Sequence, residues 1–487
     1  MYISTRGFKK VKASEAIIKG LAPDGGLFIP EALNKLNIDE SFINLSYKEL
    51  AKKIFKEFLD DFSLDEISNI IDAAYSSDNF NGDVAEVKEF NDIAFMSLYQ
   101  GPTFAFKDAA LTILPLLMEK ALEKNNNNKK TFILTATSGD TGSAAMSGFS
   151  RSNIKTIVLY PNGGVSRLQE AQMHSFDKDK ATALALDGNF DDCQRTVKKA
   201  FLDIKDENIN LASANSINIG RLIPQIVYYF YAYFSLVRSK RIKYGEAVNF
   251  SVPTGNFGNI LACFYAKRMG LFIDKIICAS NKNNVLTDFI ASSIYNKNRT
   301  FYKTISPSMD ILVSSNLERY LYYLNNEDAS LVSNLMNKLN NEGKYEVDKK
   351  IEDFIGGYLT EEETCDSIKD AYDNYHHLID PHTAVAYGVA KKLNIKGYTV
   401  IASTASPFKF INVYSEMFNL KEKDDFSKIK ELAKKTNTKV DNRILALEKI
   451  RIDKEVVKQE DCIKKIKELI GVKWKKYWLK FPELLLI

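Results

Sequence analysis

Val248-Asn249-Phe250-Ser251-Val252 runs straight into Pro253-Thr254-Gly255-Asn256-Phe257-Gly258-Asn259, and an apolar stretch opens at Ile260. A compact β-favouring run, a glycine turn and a helical pattern, in that order, describe a buried parallel strand that delivers a loop to a helix. Glycines let the backbone come close to a ligand, and the free amides at a helix start attract an anion such as phosphate. The turn has neither the Gly-Lys-Ser/Thr of a nucleoside-triphosphate loop nor the spaced Gly-x-Gly-x-x-Gly of a dinucleotide fold. Taken alone, it fits a tight turn entering a helix equally well.

The same layout recurs upstream. Residues 131–136 lead into Thr137-Ser138-Gly139-Asp140-Thr141-Gly142-Ser143 and then the small-residue run Ala144-Ala145-Met146. Hydroxyls and amides gathered at a helix start grip a carboxylate or a phosphate, although a Ser/Asp cap would look the same. Further strands are expected at residues 156–160, 182–186, 275–279 and 398–402, mostly followed by helical patterns, so the fold class is α/β with parallel sheets.

Three more segments carry chemistry. Gly101-Pro102-Thr103-Phe104-Ala105-Phe106-Lys107-Asp108 sets a lysine beside two phenylalanines at the mouth of an apolar helix. Apolar surroundings disfavour the ammonium form and free the amine for a Schiff base with a carbonyl cofactor, above all pyridoxal phosphate. The plain alternative is a solvated lysine at a helix start. Asn215-Ser216-Ile217-Asn218-Ile219-Gly220-Arg221 ends on arginine, the side chain best suited to phosphate, and otherwise has the look of a surface loop. Ser403-Thr404-Ala405-Ser406-Pro407-Phe408-Lys409-Phe410 places hydroxyls at a strand's C-terminal edge, where such sheets meet ligands, or else is a simple turn.

A length of 487 residues exceeds one core, so two or three domains are expected. With 66 basic and 62 acidic side chains the net charge is only +4, which argues against a nucleic-acid partner. Cys193, Cys263, Cys278, Cys365 and Cys462 are scattered with no CxxC pair, as for free thiols in a reducing compartment. His174, His376, His377 and His382 are too few for a histidine-rich metal centre, and the pair His376-His377 suits a polar helix surface. No metal is expected. The longest aromatic-apolar run, residues 226–237, falls short of the ~20 needed to cross a bilayer. Met1-Tyr2-Ile3-Ser4-Thr5-Arg6-Gly7 lacks a signal-peptide layout, so a cytoplasmic protein is expected. From 31 to 77 the spacing of Leu50, Ile54, Phe58, Ile67, Ile70 and Ile71 is helical, and after 420 the chain turns charged and helical.

In chain order, Gly-Pro-Thr-x-Ala-Phe-Lys-Asp, Thr-Ala-Thr-Ser-Gly-Asp-Thr-Gly, Asn-Ser-Ile-Asn-x-x-Arg-Leu and Val-Pro-x-Gly-Asn-Phe-Gly closely resemble the threonine synthase family. The longer bacterial and fungal branch also carries the Gly-Gly-Leu-Phe-x-Pro element found here at Gly25 to Pro30. The resemblance runs from near Tyr2 to near Ser415. It implies a fold-type II pyridoxal-phosphate enzyme (tryptophan synthase β-like): two open twisted α/β domains plus an N-terminal mainly helical domain. The expected division is 1–90 helical, 91–130 with 245–420 as the large cofactor-binding domain, 131–244 as the small domain, and 421–487 as a C-terminal helical extension.

The implied activity is that of a carbon–oxygen lyase of threonine biosynthesis. It converts O-phospho-L-homoserine and water to L-threonine and phosphate by γ-elimination and β-addition of water, in a monomer or a homodimer. The implied cofactor is pyridoxal 5'-phosphate, with Lys107 matching the lysine that bonds to it. Gly255, Asn256, Phe257, Gly258 and Asn259 match the loop around its phosphate, and Thr404 the hydroxyl at the pyridine nitrogen. Asp140 falls where many such enzymes have asparagine near the phenolic oxygen. Ser138 and Thr141 match a substrate-holding loop, and Asn215, Ser216 and Arg221 the set that holds the substrate's phosphate. Many members read His-Pro-Ala-Lys-Phe where this chain has Ser406-Pro407-Phe408-Lys409-Phe410, which puts a role for position 406 in doubt. Rival readings are another fold-type II enzyme, such as a serine or threonine dehydratase, and a non-catalytic protein that binds pyridoxal phosphate or amino-acid phosphates.

Overall fold

All six expected strands form, and they divide between two sheets. The computed structural model describes residues 1–471. The larger sheet has the order Ile355–Tyr358, Ile273–Ser280, Val248–Pro253, Thr399–Ser403, Ile93–Ser97, Glu86–Glu89, parallel throughout except for the last, antiparallel pair. The smaller has the order Glu455–Lys458, Ala181–Asp187, Lys155–Pro161, Lys130–Ala136, Ile209–Ala212, all parallel. Val248–Pro253 is buried along its whole length, as a strand covered by helices on both faces must be.

Five of these strands escape the sequence patterns because they are short, or carry glycines or charges: Glu86–Glu89, Ile93–Ser97, Ile209–Ala212, Ile355–Tyr358 and Glu455–Lys458. The last one modifies the expectation for the C-terminal segment, which is not helical throughout. Phe426, Ile429, Leu432 and Ile444 pack into a core with Ile277, Ile401 and Phe95 of the larger sheet. Beyond them the chain joins the edge of the smaller sheet, and the helix Gln459–Ile470 sends Cys462, Ile466 and Ile470 into that sheet's core. The remainder of the expected extension, 472–487, lies outside the described residues.

Near the N-terminus the helices Tyr47–Phe58 and Leu64–Ala74 start on capping boxes, Ser46 with Glu49 and Ser63 with Glu66. They bury Leu50, Ile54, Phe58, Ile67, Ile70 and Ile71, as the spacing requires. Phe28–Pro30 pairs antiparallel with Tyr2–Ser4. This region is bolted to the rest by two adjacent residues. Arg6 makes a forked pair with Glu318 at 2.9 and 2.7 Å, and buried Arg319 donates to Phe28 O at 2.9 Å and to Ile217 O at 2.6 Å.

His376 and His377 do not form a shared polar surface. His376 is exposed and ends the helix Glu361–Tyr375 in a left-handed conformation. His377 is buried with its ring 4.8 Å from that of Phe95, and burial pushes its imidazole down to about 3. No helix among the described residues is long and apolar enough to cross a membrane.

Candidate active site

The octapeptide and the segment after Ser403 are zipped together. Phe106 N donates to Thr404 O at 2.8 Å, Ser406 N donates to Phe104 O at 3.0 Å, and Ala105 bridges Ala405. Asp108 folds the octapeptide back on itself by accepting from Thr103 N at 2.8 Å and Thr103 Oγ1 at 2.5 Å. Phe104, at φ 60°, is held in the left-handed region, a strained place for a bulky side chain. Lys107 therefore projects from a fixed base and is only 8% exposed.

Lys107 Nζ lies 3.2 Å from Asp140 Oδ2 and 3.4 Å from Ser308 Oγ. Asp140, also buried, begins the helix Asp140–Phe149 directly after the Thr137 turn. Its other oxygen, Oδ1, accepts from Lys409 Nζ at 2.7 Å and Gln169 Nε2 at 3.0 Å. Burial pushes the Lys107 amine below its usual range. The Asp140 charge opposes that fall, while Lys409 and Arg221 add to it. For Asp140 burial acts upward, yet Lys409 and Lys107 together hold the carboxyl far below the ordinary carboxylate range.

The loop after Pro253 is a preformed cradle. Phe257 adopts φ 61° and is buried, so the amides after it turn toward the start of the helix Gly258–Arg268. A Cβ on Gly255 would lie 2.6 Å from Ser308 O, which leaves no room for a side chain. Asn256 is exposed, and its carbonyl accepts from Asn316 N at 3.1 Å and Asn316 Nδ2 at 2.8 Å. Asn259 Oδ1 takes the hydroxyls of Tyr228 and Tyr229, at 2.5 and 2.7 Å, while its buried Nδ2 has no hydrogen-bond partner among the described residues.

Asn215, Ser216 and Arg221 bind the two glycine loops into one site. Asn215 Oδ1 accepts from Thr135 Oγ1 at 2.9 Å, just ahead of the Ser138–Thr141 loop. Ser216 Oγ accepts from Asn316 Nδ2 at 3.1 Å, beside the cradle. Ser138 and Thr141 are half-buried in the loop itself. Arg221, 3% exposed, donates from Nη1 to Ala214 O at 2.8 Å, and its Nε is buried without a partner among the described residues. Among the described residues no carboxylate pairs with it, and burial pushes its guanidinium down to about 10.

Comparison with known proteins decides what the arrangement belongs to. Residues 1–75 match the family described as Threonine synthase N terminus. The threonine synthase of Schizosaccharomyces pombe is 37% identical over 453 residues, covering 84% of this chain and 87% of that one. The chain belongs to the threonine synthase family. The human protein Threonine synthase-like 1 is 38% identical over 461 residues, which cover 88% of this chain but only 62% of the human one. The PLP-bound threonine synthase from Brucella melitensis superposes with a TM-score of 0.85 at 32% identity, over 96% of this chain and 99% of that one. The fold is accordingly that of the threonine synthases.

Several residues of this family member's site are not signalled by any sequence pattern used above. Ser308 reaches Lys107 from the turn Pro307–Met309, far from either glycine loop in sequence. Its amide donates to His382 Nε2 at 3.2 Å, while His382 Nδ1 lies 2.8 Å from Asp380 Oδ1, so the imidazole proton sits on Nδ1. Asp380-Pro381-His382-Thr383, a polar run capping the helix Pro381–Leu393, is the signal that points to this support. Gln169 and Asn316 hold their loops from mid-chain helix ends and carry no comparable mark.

Proposed function

We propose that this chain converts O-phospho-L-homoserine and water to L-threonine and phosphate, with pyridoxal 5'-phosphate as cofactor. Membership of the family supports the reaction, and the cofactor bound to the Brucella melitensis protein supports the second half of the statement. One observation carries the substrate assignment. Among the described residues Arg221 is a buried guanidinium with no carboxylate opposite it and with Nε left over, close enough to Lys107 for its charge to be felt there. An unpaired buried cation is costly unless an anion completes it, and phosphate is the anion that arginine matches best.

The residues present fit the cofactor. Gly255 leaves room for a phosphate group, the amides at the start of the helix Gly258–Arg268 face an anion, and Asn259 Nδ2 is a spare buried donor. Gly255, Asn256, Phe257, Gly258 and Asn259 would hold its phosphate, Thr404 its ring nitrogen, Asp140 its phenolic side and Lys107 its carbonyl carbon. When bound, the cofactor supplies an electron sink for the carbons next to the substrate's amino group. Lys107, its amine pushed below its usual range by burial, takes and returns protons at the substrate's Cα. Ser138 and Thr141 grip the substrate carboxylate, and Asn215, Ser216 and Arg221 hold its phosphate and steady the charge as it leaves.

We also propose a cytoplasmic location, supported by five free cysteines of which four are buried, and units of residues 1–90, 91–130 with 245–420, and 131–244. The separate sheets support the division between the last two, while the strand Glu86–Glu89 of the first joins the larger sheet. The deciding experiment measures phosphate release from O-phospho-L-homoserine, with serine and threonine deamination as controls. The protein should be yellow and turn over only the phosphorylated substrate, and Lys107→Ala should lose both properties. Deamination of serine or threonine without phosphate release would replace the synthase by a dehydratase. Arg221→Ala should cut turnover far more than cofactor affinity; equal losses would place Arg221 elsewhere.

A further inference from the structure

Among the described residues only two lysines are buried, Lys107 and Lys409, and the function proposed above uses only the first. They share one carboxylate from opposite sides, Lys107 on Asp140 Oδ2 and Lys409 on Asp140 Oδ1. Their partners are unequal. Lys409 has a side chain with no exposure, sits 2.7 Å from Asp140 Oδ1 and donates to Thr103 O at 2.7 Å. Lys107 has only 3.2 Å to Asp140 and 3.4 Å to Ser308 Oγ.

Among the described residues Asp140 is the one carboxylate both lysines touch, with a buried guanidinium nearby. A second buried carboxylate, Asp108, acts on Lys409 and is bonded to Thr103 on its side, so the pair does not carry its charges equally. Lys409 is the better partnered of the two. We propose that Lys409 is a positioning residue of this site: its ammonium holds Asp140 by Oδ1 and so leaves Lys107 as the neutral amine of the pair. The groups facing Lys107 are Asp140 from the helix Asp140–Phe149, Lys409 from the turn Pro407–Val413 and Arg221 from the helix Ile219–Arg238. The Ser308 hydroxyl and the Phe106 ring, 5.2 Å from Nζ, complete its surroundings. Lys409 thus makes an aspartate workable beside the reacting amine, because its charge offsets the pull that Asp140 alone would exert on the Lys107 proton.

This rests on the reading of Lys107 as the reacting amine, and its test is separate from turnover. The full chain, freed of cofactor, is labelled with acetic anhydride across a pH series, and the Lys107 peptide is followed by mass spectrometry to obtain its titration midpoint. Lys409→Met should raise the midpoint by about one pH unit or more, roughly a tenfold loss of free amine below it. Asp140→Asn should move it the other way, and Lys409→Arg should leave it near the wild-type value because the charge is kept. Loss of packing alone would not produce opposite shifts.

A midpoint in Lys409→Met at or below wild type overturns the proposal, as does a Lys409→Arg shift as large as that of Lys409→Met. Should Lys409→Met fail to fold by thermal melting, Asp140→Asn decides, and a midpoint that stays or rises there sinks the idea. Absence of phosphate release with these shifts intact would remove the reaction assigned above and leave the role of Lys409 standing.

Discussion

The loop after Pro253 and the loop after Ala136 begin from one recipe, a buried parallel strand feeding a glycine turn and a helix, and are held by opposite means. Around Gly255 much of the grip comes from main chain distant in sequence: Ser308 O presses where a Cβ would be, and Asn316 N donates to Asn256 O. Around Gly139 the grip comes from side chains. Thr137 Oγ1 accepts from Gly139 N at 2.9 Å and from Gly142 N at 2.8 Å, and Gln169 lies against Gly139 while donating to Asp140. A surface set by backbone tolerates trimmed side chains and rejects added volume. A surface set by side chains behaves the other way, and it can readjust as a substrate arrives.

The largest effect expected from this contrast is that of Gly255→Ala. Its Cβ would stand 2.6 Å from a backbone oxygen, so the cradle has to move. Affinity for pyridoxal 5'-phosphate should fall by about 10²-fold, as for an ångström-scale misplacement, in an absorbance titration of the cofactor-free protein. A loss below threefold would break the contrast. Gly139→Ala is the matching change in the other loop. There the atoms nearest the new Cβ are the end of the Gln169 side chain, at 2.4 Å, which can swing aside at the cost of its bond to Asp140. The φ of +130° still penalises any Cβ, by about 1–3 kcal/mol. Urea unfolding should show that cost with cofactor affinity nearly unchanged, and an affinity loss equal to that of Gly255→Ala would erase the distinction.

Both loops were legible in the sequence because each is local: strand, glycines and helix start follow one another within a dozen or so residues, and periodicity and turn chemistry act at that range. Lys107 was legible for the same reason, through the phenylalanines beside it. The supports of the loops were not. Ser308, Asn316 and His382 support the loops through bonds that cross 60 to 201 positions of chain separation, which no pattern of neighbouring residues encodes. Lys409 was visible as a residue but not as a partner of Asp140, since only the folded chain brings the turn after Thr404 against the start of the helix Asp140–Phe149. The strand Glu455–Lys458 was hidden differently. Its charged ends lie at a sheet edge, where exposure removes the apolar signature that a central strand displays.

The two smallest effects test the same contrast by subtraction. Thr137→Val keeps the shape of the side chain but leaves two buried amides without an acceptor, at a cost of about 1–3 kcal/mol in unfolding free energy. Ser314→Ala removes a single hydroxyl, which donates to Gly255 O at 2.6 Å, from a loop that keeps its backbone contacts. It should cost about 1 kcal/mol or less, with cofactor affinity within twofold of wild type. The ratio of the two values carries the meaning. If trimming Ser314 proves as damaging as unsealing Thr137, the cradle also hangs on a side chain, and its intolerance of added volume at Gly255 would then need a cause other than the backbone behind it.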